Sequence, residues 1–225
     1  MYPVSVYFYD EQTIAGRFGT LLKMPMFVSN SKVSMSNVLK AHLSKFIVID
    51  DDEFTEILSY FEAQNARKKE NLLIEGAICK RHYFVIKGIL RKFFVTDKGV
   101  ERTTEFAIEN WWMTDHFAFE AGSTSQFYIQ AVEQAELLAI TRDKQAEMLR
   151  RHPLMEKYFR CIYQKAYGAA QMRMKFLHDF SREELYHHFR KSQPDFLQRV
   201  PQYLVASYLG FTPEYLSEIR RKSIS

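Results

Sequence analysis

Near the end of the chain, Glu214, Ser217, Glu218 and Arg221 are spaced so that a helix would carry them along one side. Carboxylates accept hydrogen bonds, a hydroxyl both donates and accepts, and a guanidinium donates through a fixed fork. Such a face suits reading the polar edge of a partner rather than making or breaking bonds. No glycine-rich phosphate loop, nucleophile elbow or His-x-His pair in the strand region accompanies it. His187 and His188 are neighbours on a helix, so their side chains diverge. Cys79 and Cys161 lack the CxxC or Cys/His spacing of zinc or iron–sulfur sites. Catalytic residues, a metal and a cofactor are therefore not expected.

The face must be held by the elements around it. Leu216 and Ile219 supply the buried side of its helix, while Thr212, Pro213 and Glu214 supply an N-cap, a first-position proline and a first-turn acid. Upstream, Leu204, Val205, Tyr208 and Leu209 recur at helical spacing, and Gly210 permits the left-handed residue that ends a helix abruptly. Ala206 is small enough for the two helices to approach. Two short helices about a sharp turn have the anatomy of a DNA-binding helix-turn-helix. The charge is divided to match: residues 141–225 hold 16 Lys/Arg against 9 Asp/Glu, whereas residues 1–140 hold 15 against 18. The half with the helix-turn-helix is the half fit to approach phosphate.

Over its 225 residues the chain is 47% hydrophobic and 15% aromatic, enough for a packed core. No apolar run approaches the roughly 20 residues of a membrane span, and the N-terminus lacks a basic leader with a long apolar region. A cytoplasmic protein is expected. Residues 1–34 show no sustained period and read as a poorly ordered extension; helical patterning starts after Met35, which makes Met35 a candidate translation start. From Ser36 to about Phe61 the period is helical, with a capped restart at Asp50–Glu53. Between residues 65 and 140 it changes to strands, clearest at 83–86, 90–95, 103–108, 127–132 and 136–140, which predicts an antiparallel sandwich or barrel. Helices then return, with Thr141 capping the first and His152-Pro153 breaking it. Leu154 to about His178 would form one helix of about 37 Å. Along it Met155, Phe159, Ile162, Ala166, Ala169 and Phe176 fall on alternating steps of four and three, interrupted by Arg173. That seam predicts a homodimer interface, with Ala166, Gly168 and Ala169 allowing close approach, although packing on the helix's own domain fits the spacing equally. Ser181 with Glu184 makes a capping box for the helix that follows.

Helical lead, antiparallel β-roll, long helix and C-terminal helix-turn-helix, in that order, resemble the Crp/Fnr family of bacterial transcription regulators. The resemblance covers roughly residues 36–222. It is carried by 83–91 (YFVIKGILR) and 131–140 (AVEQAELLAI) in the roll, and most specifically by 203–220 (YLVASYLGFTPEYLSEIR). It implies an α+β chain: a cyclic-nucleotide-binding-like roll (35–152) as sensor, a dimerisation helix (153–180) and a helix-turn-helix domain (181–225) lacking most of the wing. Positions facing bases would be Pro213, Glu214, Ser217, Glu218 and Arg221, beside Thr212, while Gln202, Tyr203, Arg220 and Lys222 are better placed for phosphates. Glu218 stands where relatives often have arginine. A dimer would read a near-palindromic operator, with RNA polymerase as a further partner.

For the effector, the departures from the family matter most. The Gly-Glu and Arg-Ser/Thr of cyclic-nucleotide binders correspond here to Thr114-Asp115 and Ser125-Gln126. Without the bidentate arginine the strongest contact to a phosphodiester is lost, so cyclic AMP is not the expected effector. Trp111, Met113, Asp115, Ser125, Gln126 and Phe127 would line a pocket for an unknown small molecule. A clustered N-terminal cysteine set, as in redox-sensing relatives, is absent. The remaining alternative is a sensor or interaction protein with a vestigial helix-turn-helix.

Overall fold

The computed structural model describes residues 31–222. Helix α1 (Ser31–Leu43) begins inside the segment expected to be a poorly ordered extension, four residues before Met35; the rest of that extension, and the last three residues, lie outside the described residues. Helix α2 (Asp51–Ser59) starts on Asp50, whose Oδ1 accepts from the Glu53 amide at 2.8 Å, so the acidic run caps the helix as its residue types require.

Eight strands follow: β1 (Glu62–Ala66), β2 (Asn71–Leu73), β3 (Arg81–Lys87), β4 (Leu90–Val95), β5 (Glu101–Ala107), β6 (Trp112–Met113), β7 (Tyr128–Ala131) and β8 (Ala135–Thr141). They form two four-stranded antiparallel sheets, ordered β1-β8-β3-β6 and β2-β7-β4-β5. The five strands predicted are present. The short strands β1, β2 and β6 are additions, as is helix α3 (His116–Ala121) between the sixth and seventh strands.

Strand β3 explains why its sequence is a continuous apolar run rather than an alternating one. Tyr83 and Val85 point into the core between the sheets, with Leu90, Met113, Ile129 and Leu137. Phe84 and Ile86 point the other way, into a second core under the helices. Both faces are covered, so both parities are apolar. The β3–β4 turn passes so close to β8 that a Cβ on Gly88 would lie 2.6 Å from the Gln134 carbonyl oxygen, at a φ of +97°. Only glycine fits there.

Helix α4 (Arg142–Arg151) is capped by Thr141, and α5 (Pro153–Asp179) runs 27 residues, about 40 Å. Buried Met155, Tyr158 and Phe159 of α5 join α1, α2 and the outer face of β3 and β8 in one core. Helices α6 (Arg182–Ser192, with the Ser181/Glu184 capping box), α7 (Pro194–Arg199), α8 (Gln202–Leu209) and α9 (Pro213–Lys222) complete the chain. Their core is continuous with the roll, since Ile89, Phe106 and Val132 pack among Phe196, Leu204, Tyr208 and Leu216.

Candidate nucleic-acid interface

Helix α8 is buried on nearly every side: Leu204, Val205, Ala206, Tyr208 and Leu209 are all enclosed. An all-round buried helix has neighbours on all sides, here α9 and β5. It ends at Gly210, left-handed at a φ of +78°, and the Phe211 amide returns to the Ala206 carbonyl at 2.8 Å. Thr212 then caps α9, its hydroxyl oxygen accepting from the Tyr215 amide at 3.2 Å. Leu216 and Ile219 are buried in the core with α8.

Pro213, Glu214, Ser217, Glu218 and Arg221 are all exposed, as is Tyr203 at the start of α8. Ser217 and Glu218 are among those already engaged. The Ser217 hydroxyl donates to the Pro213 carbonyl at 2.9 Å. Glu218 pairs with Lys222 at 3.1 Å, and Lys222 also lies 3.8 Å from Glu183 of α6. The hydrogen bond to Glu218 raises the Lys222 pKa. Gln202 and Arg220, separated by the turn in sequence, meet across a groove of about 260 Å³ formed by α6, α7, α8 and α9. Arg190 lines it too. Both arginines are exposed and lack a carboxylate partner among the described residues. No linear signal marks Arg190, because only the fold brings the end of α6 to Arg220.

The residues of the predicted dimer seam are placed differently from expectation. Met155 and Phe159 are 0% and 3% exposed, inside the chain's own core, and Ile162 packs against the same core. Ala169 is buried, Ala166 is partly covered, and Phe176 packs toward the C-terminal helices, stacked on Phe180. The seam interruption, Arg173, donates to the Thr104 carbonyl at 2.6 Å and the Tyr208 carbonyl at 2.9 Å. The stripe one residue further round is Tyr163, Tyr167, Ala170, Met174 and Leu177, again in steps of four and three; Tyr163 is partly covered, stacked on Phe159, and the other four are exposed. Tyr167 and Met174 are 67% and 58% exposed. A groove of about 500 Å³ lies at the upper end of this stripe, between Leu149, Arg160, Tyr163 and Tyr167.

In the roll, Asp115 and Ser125 are brought together and closed on each other. Asp115 caps α3, one oxygen accepting from the Ala118 amide at 3.2 Å and the other from the Ser125 hydroxyl at 2.7 Å. Ser125 also accepts from the Phe127 amide at 3.0 Å. Thr114 bonds to the Arg81 carbonyl, Met113 is core, Trp111 packs against that core and Gln126 is exposed. Neither of the two grooves above is lined by any of these residues. Arg91, 3% exposed, is held by Glu101 at 2.7 Å and by the Gln130 amide oxygen.

No protein-family model and no curated protein sequence matches the chain. Solved structures do match. The c-di-GMP-responsive global regulator CLP of Xanthomonas campestris aligns at a TM-score of 0.64 and 13% identity, over 77% of this chain and 91% of that one. A transcriptional regulator assigned to the Crp/Fnr family from Eubacterium rectale gives 0.63 and 13%, over 77% and 83%. FixK2 from Bradyrhizobium japonicum gives 0.60 and 15%, over 72% and 83%. The fold is that of the Crp/Fnr regulators.

Between β6 and β7, Asp115 and Ser125 satisfy each other and the α3 N-terminus, and among the described residues no guanidinium is a hydrogen-bond partner of either. Among the described residues no group of three or more His, Cys, Asp or Glu side chains is placed to hold a metal, and no helix is long and apolar enough to cross a membrane.

Proposed function

We propose that the chain is a sequence-specific DNA-binding transcription regulator without catalytic activity, working as a symmetric dimer and indifferent to cyclic AMP. The observation that carries this is α9. Its buried side is fixed on α8 across a left-handed turn, and its other side presents Pro213, Glu214, Ser217, Glu218 and Arg221 at the surface on a scaffold of Crp/Fnr fold. Glutamate can accept from cytosine N4 and arginine can donate to guanine, each good pair discriminating by about 1–3 kcal/mol. Tyr203, Gln202, Arg220 and the newly recognised Arg190 would hold phosphates and set register. Residues 35–152 serve as sensor, 153–180 as dimer helix and 181–225 as DNA-binding domain. The dimer seam is Tyr163, Tyr167, Ala170, Met174 and Leu177, because the neighbouring stripe is occupied by the chain's own core. The closed Asp115–Ser125 pair leaves a phosphodiester without its guanidinium partner.

Selection and sequencing of genomic fragments by the purified protein, at two salt concentrations and with or without cyclic AMP, tests this. A near-palindrome with half-sites about 34–36 Å apart, bound in a salt-sensitive and cyclic-AMP-indifferent way, is expected. Enrichment only with cyclic AMP would overturn the effector assignment. No enrichment in any condition would favour a vestigial helix-turn-helix. Arg221→Ala should weaken the recovered site by about 1–3 kcal/mol and relax its sequence at one position.

A further inference from the structure

The C-terminal helices are fastened to their own roll by three sets of polar contacts, two of them side by side where α8 meets β5. At the first, the Arg173 guanidinium of α5 bridges the Thr104 carbonyl of β5 and the Tyr208 carbonyl near the end of α8, and lies 4.1 Å over the Tyr208 ring. At the second, Ser207 of α8 caps the free edge of the second sheet: its hydroxyl oxygen accepts from the Thr103 amide and its hydrogen goes to the Glu101 carbonyl, both at 2.9 Å. At the third, Arg199 at the end of α7 takes a bidentate grip on Glu109, at 2.7 and 2.9 Å, and also pairs with Glu133. Glu109 in turn accepts from the Gly88 amide at 2.9 Å, so this contact gathers three turns of the roll. Phe106 fills the space between, edge-on to both Phe196 and Tyr208.

Two anchor regions result, one where α8 meets β5 at residues 101–104 and one at Glu109, and together they restrain the orientation of the helix pair as well as its distance from the roll. The Arg173 contact originates on α5, the helix that also carries the exposed seam. We propose that Arg173, Ser207 and Arg199 are positioning residues that fix the pitch and separation of the two α9 helices in the dimer. They need touch no base. Charged donors on backbone carbonyls make strong bonds, and the planar arginine fork holds two carbonyls in a fixed relation, which a flexible lysine ammonium does not. Opening the clamp would let each helix-turn-helix still meet its half-site, while the pair would no longer be held at one spacing. The inference rests on the DNA-binding function proposed above.

The experiment compares binding of the dimeric protein to the selected full site, to a single half-site, and to sites with the half-sites moved by one or two base pairs. Joining two matched half-sites gives the wild type an advantage of about 10²–10⁴ over one half-site, lost when the spacing is wrong. Arg173→Gln should lower that advantage by about tenfold or more and flatten the spacing preference, with half-site affinity unchanged. Ser207→Ala should act in the same direction and less, and it covers the case in which Arg173→Gln fails to fold. A wild-type ratio of full to half-site binding in both variants, or an equal fall on both sites, would overturn the positioning role. If the wild type binds full and half-sites equally, no fixed pair exists and the inference also fails. Only a wild type that selects no DNA would take the proposed function down with it.

Discussion

Helix α5 presents two apolar stripes, one residue apart around its circumference, and they have opposite fates. The inner stripe is inside the protomer: Met155 and Phe159 lie in the core under β3 and β8, and beside them Tyr158 accepts a hydrogen bond from the Trp112 indole at 2.7 Å. Its hydroxyl also lies 2.8 Å from His42 Nδ1 of α1. The outer stripe is covered at its Tyr163 end, which packs on Phe159 and His116, and is exposed from Tyr167 to Leu177. An apolar stripe on a helix therefore says that something will cover it, and only the neighbouring elements decide whether that is the same chain or another copy.

The strongest way to break this contrast is to truncate one side chain on the inner stripe. Phe159→Ala should cost about 3–5 kcal/mol of folding stability, through lost burial and the cavity left behind, as measured by urea unfolding. Its cost should be the same in a monomeric background. A loss that appears only at dimer-forming concentrations would mean that Phe159 serves the partner after all.

Acid should attack the inner stripe next. Burial, reinforced by nearby Lys45 and Lys165, lowers the His42 pKa from 6.5 to about 4, and burial moves His82 and His116 in the same direction. These rings are neutral in the folded chain, while the unfolded chain takes up protons near pH 6.5. The folded state is thus at full strength above pH 6.5 and loses stability as pH falls from there toward about 4, by roughly 3 kcal/mol for His42 alone. Urea midpoints at pH 7.5, 6 and 5 should fall in that order, and His42→Gln should flatten the slope. A pH-independent midpoint would show that His42 is not held neutral by the α1–α5 contact.

The outer stripe should respond to charge rather than to truncation. Met174→Glu would place a carboxylate without a partner in the proposed seam, weakening the proposed dimer by about 2–3 kcal/mol, or roughly 30- to 150-fold, in sedimentation. Stability of the isolated protomer should change by no more than about 0.5 kcal/mol, since Met174 is exposed there. A dimer indifferent to Met174→Glu would put the partner elsewhere.

Much of this architecture was legible because its signals are local. Asp50, Thr141, Ser181 with Glu184, and Thr212 all cap the helices their residue types announce, and Gly210 ends α8 as a glycine must. The apolar runs of β3 and β8 mark strands covered on both faces. What escaped depends on partners. Strand β1, Glu-Ala-Gln-Asn-Ala, holds no β-branched or aromatic residue and exists because it pairs along the edge of β8. Helix α3 is six residues long, though Asp115 before it and Gly122 after it are its caps. At the candidate site, the open face of α9 followed from spacing, whereas the meeting of Arg190 with Arg220 and the closing of Asp115 on Ser125 are products of tertiary packing. The α5 seam shows the limit most clearly: a period of four and three fits two adjacent stripes, and no period says which one faces inward.

Gly168 gives the smallest effect and the sharpest check of the register. On the outer seam, positions 163, 167, 170, 174 and 177 alternate as the two contact positions of a heptad, and residue 168 falls immediately beside one of them, outside the seam. Apart from its two chain neighbours and the backbone of its own helix, a Cβ added at Gly168 meets no atom within 4 Å, and the backbone there is ordinary helix. Alanine should then stabilise the protomer by about 0.5–1 kcal/mol, through helix propensity and a less flexible unfolded chain. The association constant of the proposed dimer should not move. On the seam the sequence suggested, small residues at 166, 168 and 169 serve close approach of the partner helix, and Gly168→Ala would weaken the dimer instead. Thermal melts of dilute protein and sedimentation of concentrated protein separate the two: a gain in the first with no change in the second fixes the outer register, and a loss in the second removes it.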